Sequence, residues 1–228
     1  MYKIVLLCGG KGTRLKPLTE SIPKPLVPLN GKPVLEYLMN FFSKQGFNDF
    51  IVCTGYKSEL VEKSVNGFAK KNWNLKFVDS GESASMLKRI IDASKFCEEK
   101  FLVCYGDTIA DINIKELLEF HKSKNSSLTN VLYQMQSPFG LMETHDGKVV
   151  KYNEKPLLPF WFNIGFFVFE KKILNNIPDG DWVGFLNNSI KSGKMFALKH
   201  YGEHITFNTE HEKTEAEKKI GFFSQVLD

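Results

Sequence analysis

The sequence predicts an α/β fold with a mixed, mostly parallel sheet flanked by helices, and two observations carry this prediction. Through the first half, short apolar runs rich in β-branched residues alternate with amphipathic stretches, which is typical of strands joined by crossover helices. After residue 126 the apolar runs lie closer together, with a turn signal at Asp146-Gly147, which indicates antiparallel or mixed strands. We expect both parts to form one Rossmann-like sheet.

The first half contains four strand–helix units. Its amphipathic stretches space apolar residues at helical intervals, as Leu35, Leu38 and Phe42 do, so each helix can cover one face of the sheet. The predicted strands are residues 3–8, 49–54, 75–78 and 100–104, and the predicted helices are residues 34–44, 57–70, 84–96 and 114–122.

The second half supplies further strands and two closing helices. We predict strands at residues 128–135, 149–152 and 162–169, on the far side of the same sheet, and helices near residues 184–191 and 210–222. No repeat, low-complexity segment or Pro/Gly/Ser-rich linker interrupts the 228 residues. We therefore expect a single domain.

The composition disfavours several classes of protein. The 30 basic and 26 acidic residues are scattered, without the clustered basic face typical of nucleic-acid binding. The opening apolar run, residues 4–8, is too short for a signal-peptide core or a membrane span. The four cysteines show no metal-ligand spacing, so we expect buried, reduced thiols. These features predict a cytoplasmic protein that binds neither nucleic acid nor membranes.

A glycine-rich segment, Gly9-Gly10-Lys11-Gly12-Thr13-Arg14, directly follows the first predicted strand. Ligands bind α/β sheets at strand carboxyl ends, and glycines let backbone N–H groups approach a phosphate closely. Thr13 adds a hydroxyl and Arg14 a forked cation. A dinucleotide fingerprint would need a small residue at Leu15, and a Walker loop would need lysine and Ser/Thr after its last glycine. This sequence meets neither requirement, so we predict a phosphate-binding loop of another class. The alternative is a strand-to-helix turn in which the glycines serve the backbone geometry alone.

Ten residues beyond Arg14, Lys24 stands between Pro23 and Pro25. The prolines fix the backbone and disfavour a helix, so we expect an extended segment that holds the ammonium beside the glycine loop. A stiffly held cation at this place suits a nucleoside triphosphate. A solvated loop lysine is the alternative.

A third motif, Tyr105-Gly106-Asp107, ends the fourth predicted strand. A carboxylate at a strand end can hold Mg²⁺, which prefers oxygen ligands and bridges to phosphates. Asp107 is therefore the predicted metal ligand. Asp111 is a second candidate, although we expect it rather to cap a helix that begins at Ile112.

Together these segments resemble the signature of the sugar-phosphate nucleotidyltransferase family, Leu-x-x-Gly-Gly-x-Gly-Thr-Arg-Leu-x-Pro-Leu-Thr followed by Pro-Lys-Pro. The likeness covers nearly the entire chain and is greatest to the family's glucose-1-phosphate cytidylyltransferases, through residues 49–57, 78–83, 87–89 and 105–111. It implies a three-layer αβα sandwich. Residues 1–125 would form the nucleotide-binding part of one domain and residues 126–228 the acceptor-binding part.

The resemblance also implies a set of site residues. Arg14, Lys24 and Asp107 would be catalytic. Mg²⁺ would bind Asp107 and Asn208, where Asn208 replaces the family's usual aspartate and, being uncharged, should bind the ion more weakly. The nucleotide would contact Leu7, Gly9, Gly10, Gly12, Thr13, Arg14, Lys24, Ser80, Gly81 and Gly106. The acceptor would contact Tyr105, Glu154, Lys155, Asn163 and Gly165.

The predicted function is transfer of a nucleotidyl group from an NTP, with CTP favoured, to a sugar 1-phosphate with release of pyrophosphate. A homo-oligomer is compatible with this function. One alternative is a cytidylyltransferase for phosphocholine or another non-sugar phosphomonoester, and another is a non-catalytic nucleotide-binding homologue, which Asn208 suggests. A hexosyltransferase is disfavoured because no Asp-x-Asp metal motif occurs near Asp107.

Overall fold

Strands and helices alternate along most of the chain in the computed structural model, which describes residues 2–175, 177 and 181–227, with side chains as far as residue 221. Short 3₁₀ turns occupy Thr13–Leu15, Lys24–Leu26 and Lys171–Leu174. The strands are β1 (Ile4–Leu7), β2 (Pro28–Leu29), β3 (Lys32–Pro33), β4 (Asp49–Thr54), β5 (Asn74–Asp79), β6 (Lys100–Tyr105), β7 (Ile109–Ala110), β8 (Leu128–Gln136), β9 (Leu141–His145), β10 (Lys148–Asn153), β11 (Leu157–Glu170), β12 (Met195–His200) and β13 (His204–Ile205). The helices are α1 (Leu18–Ser21), α2 (Val34–Lys44), α3 (Ser58–Phe68), α4 (Met86–Ser94), α5 (Ile114–Ser123), α6 (Trp182–Lys191) and α7 (Glu210–Leu227).

Seven strands form the central sheet in the order β12-β8-β11-β6-β1-β4-β5. Neighbouring strands run parallel except at β11, which is antiparallel to both β6 and β8. The predicted mixed, mostly parallel sheet is therefore confirmed. Because β4 and β5 lie on one side of β1 and β6 lies on the other, the strand order reverses beside β1. Open α/β sheets bind ligands in the crevice at such a reversal, here at the carboxyl ends of β1 and β6.

Helices cover both faces of the sheet, as the amphipathic pattern predicts. Successive residues of a strand point to opposite faces, and in β1 Ile4 and Leu6 enter one core while Val5 enters the other. The first core contains side chains of α2, α3, α5 and α7, and the second contains side chains of α4 and α6. Both faces of β1 are thus covered by a core, which explains its continuous apolar run.

The prediction that residues 149–152 extend the central sheet is wrong. They belong to β10, which pairs with β9 in a separate two-stranded hairpin. Every residue of β9 is exposed. An alternating pattern indicates a strand but carries no information about its partner, and β12, which was not predicted, takes the outer edge of the sheet beside β8.

The prediction that Asp111 caps a helix is also wrong. Asn113 caps α5 instead, because its side-chain oxygen accepts hydrogen bonds from the first backbone N–H groups of the helix. Asp111 accepts a hydrogen bond from the backbone N–H of Glu203 at 2.8 Å, and its carboxylate lies 2.8 Å from His200 Nε2. Its role in the fold is to bind the segment that follows β12.

The segment around Lys24 is not extended, contrary to the prediction. Lys24 begins the 3₁₀ turn Lys24–Leu26, and Pro25 lies in its first turn. Proline is tolerated at the start of a helix because the N–H that it lacks has no partner within the helix there. The prolines therefore fix Lys24 in a turn.

The predicted buried, reduced thiols are confirmed. All four cysteines are buried and free, and burial raises the pKa of Cys53 and Cys97 to about 12. Within the ranges that the structure describes, no helix is both long enough and apolar enough to cross a membrane.

Candidate active site

A cavity of about 370 Å³ opens at the carboxyl ends of β1 and β6, where the strand order reverses. The glycine-rich loop forms one wall of this cavity. The lining residues are Leu7, Cys8, Gly9, Gly10, Gly12, Arg14, Leu15, Lys24, Pro25, Glu82, Ala84, Met86, Arg89, Tyr105, Asp107 and Asn208.

The glycines of the loop meet two different needs. Gly12 has φ +62°, in the left-handed region, and a Cβ on Gly9 would lie 2.6 Å from the Thr54 carbonyl oxygen. The backbone conformation at Gly12 and the close packing at Gly9 thus each require glycine, whether or not a ligand binds. Gly10 lines the cavity, is exposed, and a Cβ there would meet nothing within 4 Å. Packing does not explain Gly10, which favours a loop whose backbone a ligand approaches closely.

At one end of the cavity the Lys24 ammonium lies between two side-chain oxygens. Its Nζ is 2.7 Å from Asp107 Oδ2 and 3.3 Å from Asn208 Oδ1, and Lys24 is only 7% exposed. The Phe207 ring lies 5.5 Å from the same nitrogen. The structure therefore brings three predicted site residues, distant in sequence, to one point.

The short strands β7 and β13 hold Asp107 and Asn208 in place. Asp107 precedes β7 and Asn208 follows β13, and these strands pair antiparallel with Ile109 opposite Ile205. The Thr108 hydroxyl and His204 Nε2 add a hydrogen bond of 2.9 Å across the pair. The Asp107 and Asn208 side-chain oxygens thus lie close together because the pairing of β7 with β13 joins the segments that carry them.

The Asp107 and Asn208 oxygens suit a Mg²⁺ ion by their donor chemistry. A carboxylate and an amide carbonyl are both hard oxygen ligands. In this structure both oxygens contact one cation, the Lys24 ammonium. No group of three or more His, Cys, Asp or Glu side chains in the described part of the chain could hold a metal alone. Substrate phosphates and water would therefore supply the other ligands, as is common for Mg²⁺.

Three of the predicted acceptor residues form one network. Asn163 Nδ2 donates to the Tyr105 hydroxyl at 2.9 Å, and Asn163 Oδ1 accepts from the Gly165 N–H at 2.7 Å. Gly165 has φ +84°, and a Cβ there would lie 2.4 Å from the Tyr105 ring. Asn130, buried in β8, donates to Asn163 Oδ1 at 2.8 Å and completes the network. Tyr105 is the member that lines the cavity.

The other two acceptor candidates lie elsewhere. Glu154 and Lys155 are exposed in the turn between β10 and β11, where the Glu154 carboxylate accepts a hydrogen bond from the Tyr152 hydroxyl. Neither lines the cavity, and their role in acceptor binding stays a prediction. The remaining predicted residues outside the lining are Thr13, Ser80, Gly81, Gly106, Asn163 and Gly165.

Three polar residues in or beside the cavity were not assigned a role from the sequence. Glu82 lines the cavity and its carboxylate lies 2.7 Å from Lys11 Nζ, which links the loop after β5 to the glycine loop. Arg89 is buried and lines the cavity, although it lies one turn from buried Ala93 on the covered side of α4. A basic residue on an otherwise apolar helix face was the available signal. For Asn130 the sequence contains no comparable signal.

The crevice at the strand-order reversal defines an α/β protein of the kind that binds its ligand at the carboxyl ends of neighbouring parallel strands, here β1 and β6. Residues 3–189 match the family described as Nucleotidyl transferase. The chain therefore belongs to the nucleotidyl transferase family and is a nucleotidyltransferase enzyme.

The chain is 31% identical to a probable glucose-1-phosphate cytidylyltransferase from Bacillus subtilis (strain 168), with 98% of each sequence covered. It is 32% identical to glucose-1-phosphate cytidylyltransferase from Salmonella typhimurium, with 88% of each covered. Its fold is similar to the crystal structure of HddC from Yersinia pseudotuberculosis, with a TM-score of 0.77, 29% identity, and coverage of 96% of this chain and 100% of that one. Relatives named for other nucleotides also match, among them a UTP–glucose-1-phosphate uridylyltransferase from Synechocystis at 29% identity, with 78% of this chain and 51% of that one covered.

Proposed function

We propose that the protein transfers CMP from CTP to a sugar 1-phosphate, forming a nucleotide sugar and releasing pyrophosphate, with Mg²⁺ as cofactor. The convergence of Lys24, Asp107 and Asn208 beside the glycine loop supports this proposal most strongly. The relatives at 31% and 32% identity are named glucose-1-phosphate cytidylyltransferases, which favours CTP and glucose 1-phosphate as substrates.

The reaction needs no nucleophile from the protein. A phosphate oxygen of the acceptor attacks the α-phosphorus of CTP, and the bond between that phosphorus and the α,β-bridging oxygen breaks. Pyrophosphate leaves with the bridging oxygen and its electron pair. Mg²⁺, when bound at Asp107 and Asn208, would neutralise phosphate charge. Arg14 and Lys24 would act as fixed cations, so catalysis rests on positioning and charge stabilisation.

Lys24 would act on the triphosphate from its place beside Asp107 and Asn208. Its ammonium now contacts Asp107 and Asn208, the same oxygens that we assign to the metal ion. Because Lys24 lines the cavity, its ammonium also faces the space proposed for the triphosphate. The ion pair with Asp107 thus holds the lysine beside its proposed target.

Pyrophosphate release tests the proposal directly. The protein is incubated with CTP, UTP, GTP, ATP or dTTP, each combined with glucose 1-phosphate, mannose 1-phosphate or phosphocholine, with and without Mg²⁺. We expect the fastest release with CTP, glucose 1-phosphate and Mg²⁺. Folded protein that releases no pyrophosphate in any combination would refute the function, and release of nucleoside diphosphate from a nucleotide sugar would indicate a hexosyltransferase.

Asp107→Asn and a matched control connect this activity to the site. Asp107→Asn should abolish most Mg²⁺-dependent release, because the amide removes the charge proposed to hold the ion. Asp146→Asn changes an exposed carboxylate in the β9–β10 turn and should leave release unchanged. Equal losses in both variants would contradict the assignment of Asp107.

A second candidate is a cytidylyltransferase for a non-sugar acceptor such as phosphocholine. The position of Glu154 outside the cavity lining is compatible with it, because this carboxylate was expected to reach the hydroxyls of a sugar. Faster pyrophosphate release with phosphocholine than with either sugar 1-phosphate would select this candidate.

A further inference from the structure

Arg89 is a buried cation whose hydrogen-bond partners are all backbone carbonyls. It is 4% exposed, and Nη1 donates to the Thr54 carbonyl. Nη2 donates to the carbonyls of Gly9 at 3.1 Å, Gly81 at 2.8 Å and Glu82 at 3.4 Å. Among the described residues, no carboxylate lies within ion-pair distance of the guanidinium. Burial lowers the pKa of Arg89 although the Asp79 carboxylate attracts the guanidinium, and a charge buried without a direct ion pair is costly, so this arrangement calls for a functional reason.

The four carbonyls belong to the ends of three neighbouring strands. Gly9 follows β1, Thr54 ends β4, and Gly81 and Glu82 follow β5, and these strands lie side by side in the sheet. A guanidinium carries five N–H donors in a rigid plane, so one side chain can bind acceptors that lie in different directions. Arg89 therefore fixes three loops relative to one another at the carboxyl edge of the sheet.

Two glycines make room for the guanidinium. A Cβ on Gly9 would lie 2.1 Å from Arg89 Nη1, and a Cβ on Gly55 would lie 2.4 Å from the same atom. Neither glycine adopts a positive φ. Close approach of Arg89, together with the Thr54 and Gly81 carbonyls, is therefore what excludes a side chain at these positions.

The loops that Arg89 holds lie on the side of the cavity away from the metal ligands. Asp107 follows β6 on one side of β1, whereas β4 and β5 lie on the other side. Lys24 and Asp107 mark the end of the cavity that suits phosphates. The nucleoside of a bound NTP would then contact the opposite wall, where Gly9, Glu82 and Arg89 line the cavity.

We propose that Arg89 is a positioning residue that fixes the nucleoside wall of the cavity and thereby sets the affinity for the NTP. The proposal rests on the proposed function, because it requires that the cavity binds a nucleotide. Arg89 acts through the backbone of the three loops and contacts no reacting atom. Its loss should weaken nucleotide binding without changing the acceptor site at Tyr105 and Asn163.

The test compares Arg89→Met and Arg89→Lys with Lys88→Met. Lys88 is the neighbouring residue of α4, and its ammonium pairs with Asp92 and does not line the cavity. Both Arg89 variants should raise KM for CTP by about tenfold or more, the factor for one lost charge-assisted hydrogen bond. KM for the sugar 1-phosphate should stay within about threefold, and Lys88→Met should match the wild type.

Binding of cytidine distinguishes a positioning role of Arg89 from a direct attraction between its charge and the phosphates. Cytidine has no phosphate, so a direct attraction between Arg89 and phosphates would leave its affinity unchanged, whereas a misplaced nucleoside wall weakens it as much as CTP binding. Ligand-observed NMR measures both affinities without turnover. Guanidinium chloride, at concentrations far below denaturation, should partly restore CTP binding to Arg89→Ala.

Several outcomes would overturn the proposal. They are an unchanged KM for CTP in folded Arg89→Met, a loss of CTP binding without loss of cytidine binding, or a wild type that binds no nucleotide. Gly55→Ala displaces the guanidinium while keeping its charge, and it should reproduce the loss of affinity even where Arg89→Met does not fold. A wild type that binds CTP but releases no pyrophosphate refutes the proposed function, while the binding experiments still decide the role of Arg89.

Discussion

Replacing Lys24 by methionine should lower kcat by about 10²- to 10³-fold. The Lys24 ammonium lies 2.7 Å from Asp107 and its side chain is 8% exposed, so water cannot take its place easily. Methionine keeps an unbranched stem but lacks the charge. Loss of one preorganised donor costs about 2.7–4 kcal/mol of transition-state stabilisation, which corresponds to this factor in rate.

The same substitution should have a small effect on stability. It leaves Asp107 without its cation, but the Asp107 side chain is 30% exposed and can be solvated by water. We therefore expect a loss of about 1 kcal/mol in the free energy of unfolding, well below the roughly 3–5 kcal/mol expected when a fully buried pair loses one partner. Catalysis and folding are thus separable in this variant.

Pyrophosphate release at saturating CTP, acceptor and Mg²⁺ gives kcat, and urea denaturation gives the stability. The matched control is Lys16→Met, which removes an exposed lysine that pairs with Glu20 in the adjacent segment. A Lys24→Met enzyme with kcat within threefold of the wild type would refute the reasoning. Equal reductions of kcat in both lysine variants would do the same.

Three further predictions concern the metal, the acceptor network and pH. Asn208→Asp adds a carboxylate and should lower the Mg²⁺ concentration for half-maximal activity by about tenfold, whereas a higher requirement would contradict the assigned ligand. Gly165→Ala forces a Cβ to within 2.4 Å of the Tyr105 ring at φ +84° and should cost about 1–3 kcal/mol in urea denaturation, with a raised KM for the acceptor. Burial lowers the pKa of His121 from 6.5 to about 4. The unfolded chain therefore binds more protons between these values, so stability falls as pH decreases through this window, and His121→Gln should reduce that dependence.

The central sheet was predictable because the apolar runs record burial directly. The strand at Asp49–Thr54 was predicted with its observed bounds, and its continuous apolar character follows from burial on both faces. The positions of the glycine loop and Asp107 followed from the rule that α/β sheets bind ligands at strand carboxyl ends. Local sequence and one general rule together locate the cavity.

The remaining parts of the site depend on which strands become neighbours. Asn130 reaches Asn163 because β8 pairs with β11, with a register shift between Asn163 and Phe167 that local sequence does not reveal. Arg89 has its role because β1, β4 and β5 are adjacent. A run of residues specifies its own conformation well but specifies its partner poorly, so the strand at residues 149–152 was assigned to the wrong sheet for the same reason.

The pairing of β7 with β13 has a consequence for the order in which the molecule forms. It joins Ile109 to Ile205, two segments separated by most of the second half of the chain. Closing so long a loop costs conformational entropy before the contacts between its ends can stabilise the chain. Such contacts therefore form late in folding. Asn208 meets Lys24 only once this ladder exists. During refolding, the return of catalytic activity should therefore lag behind the return of helical signal and mark the completion of the fold.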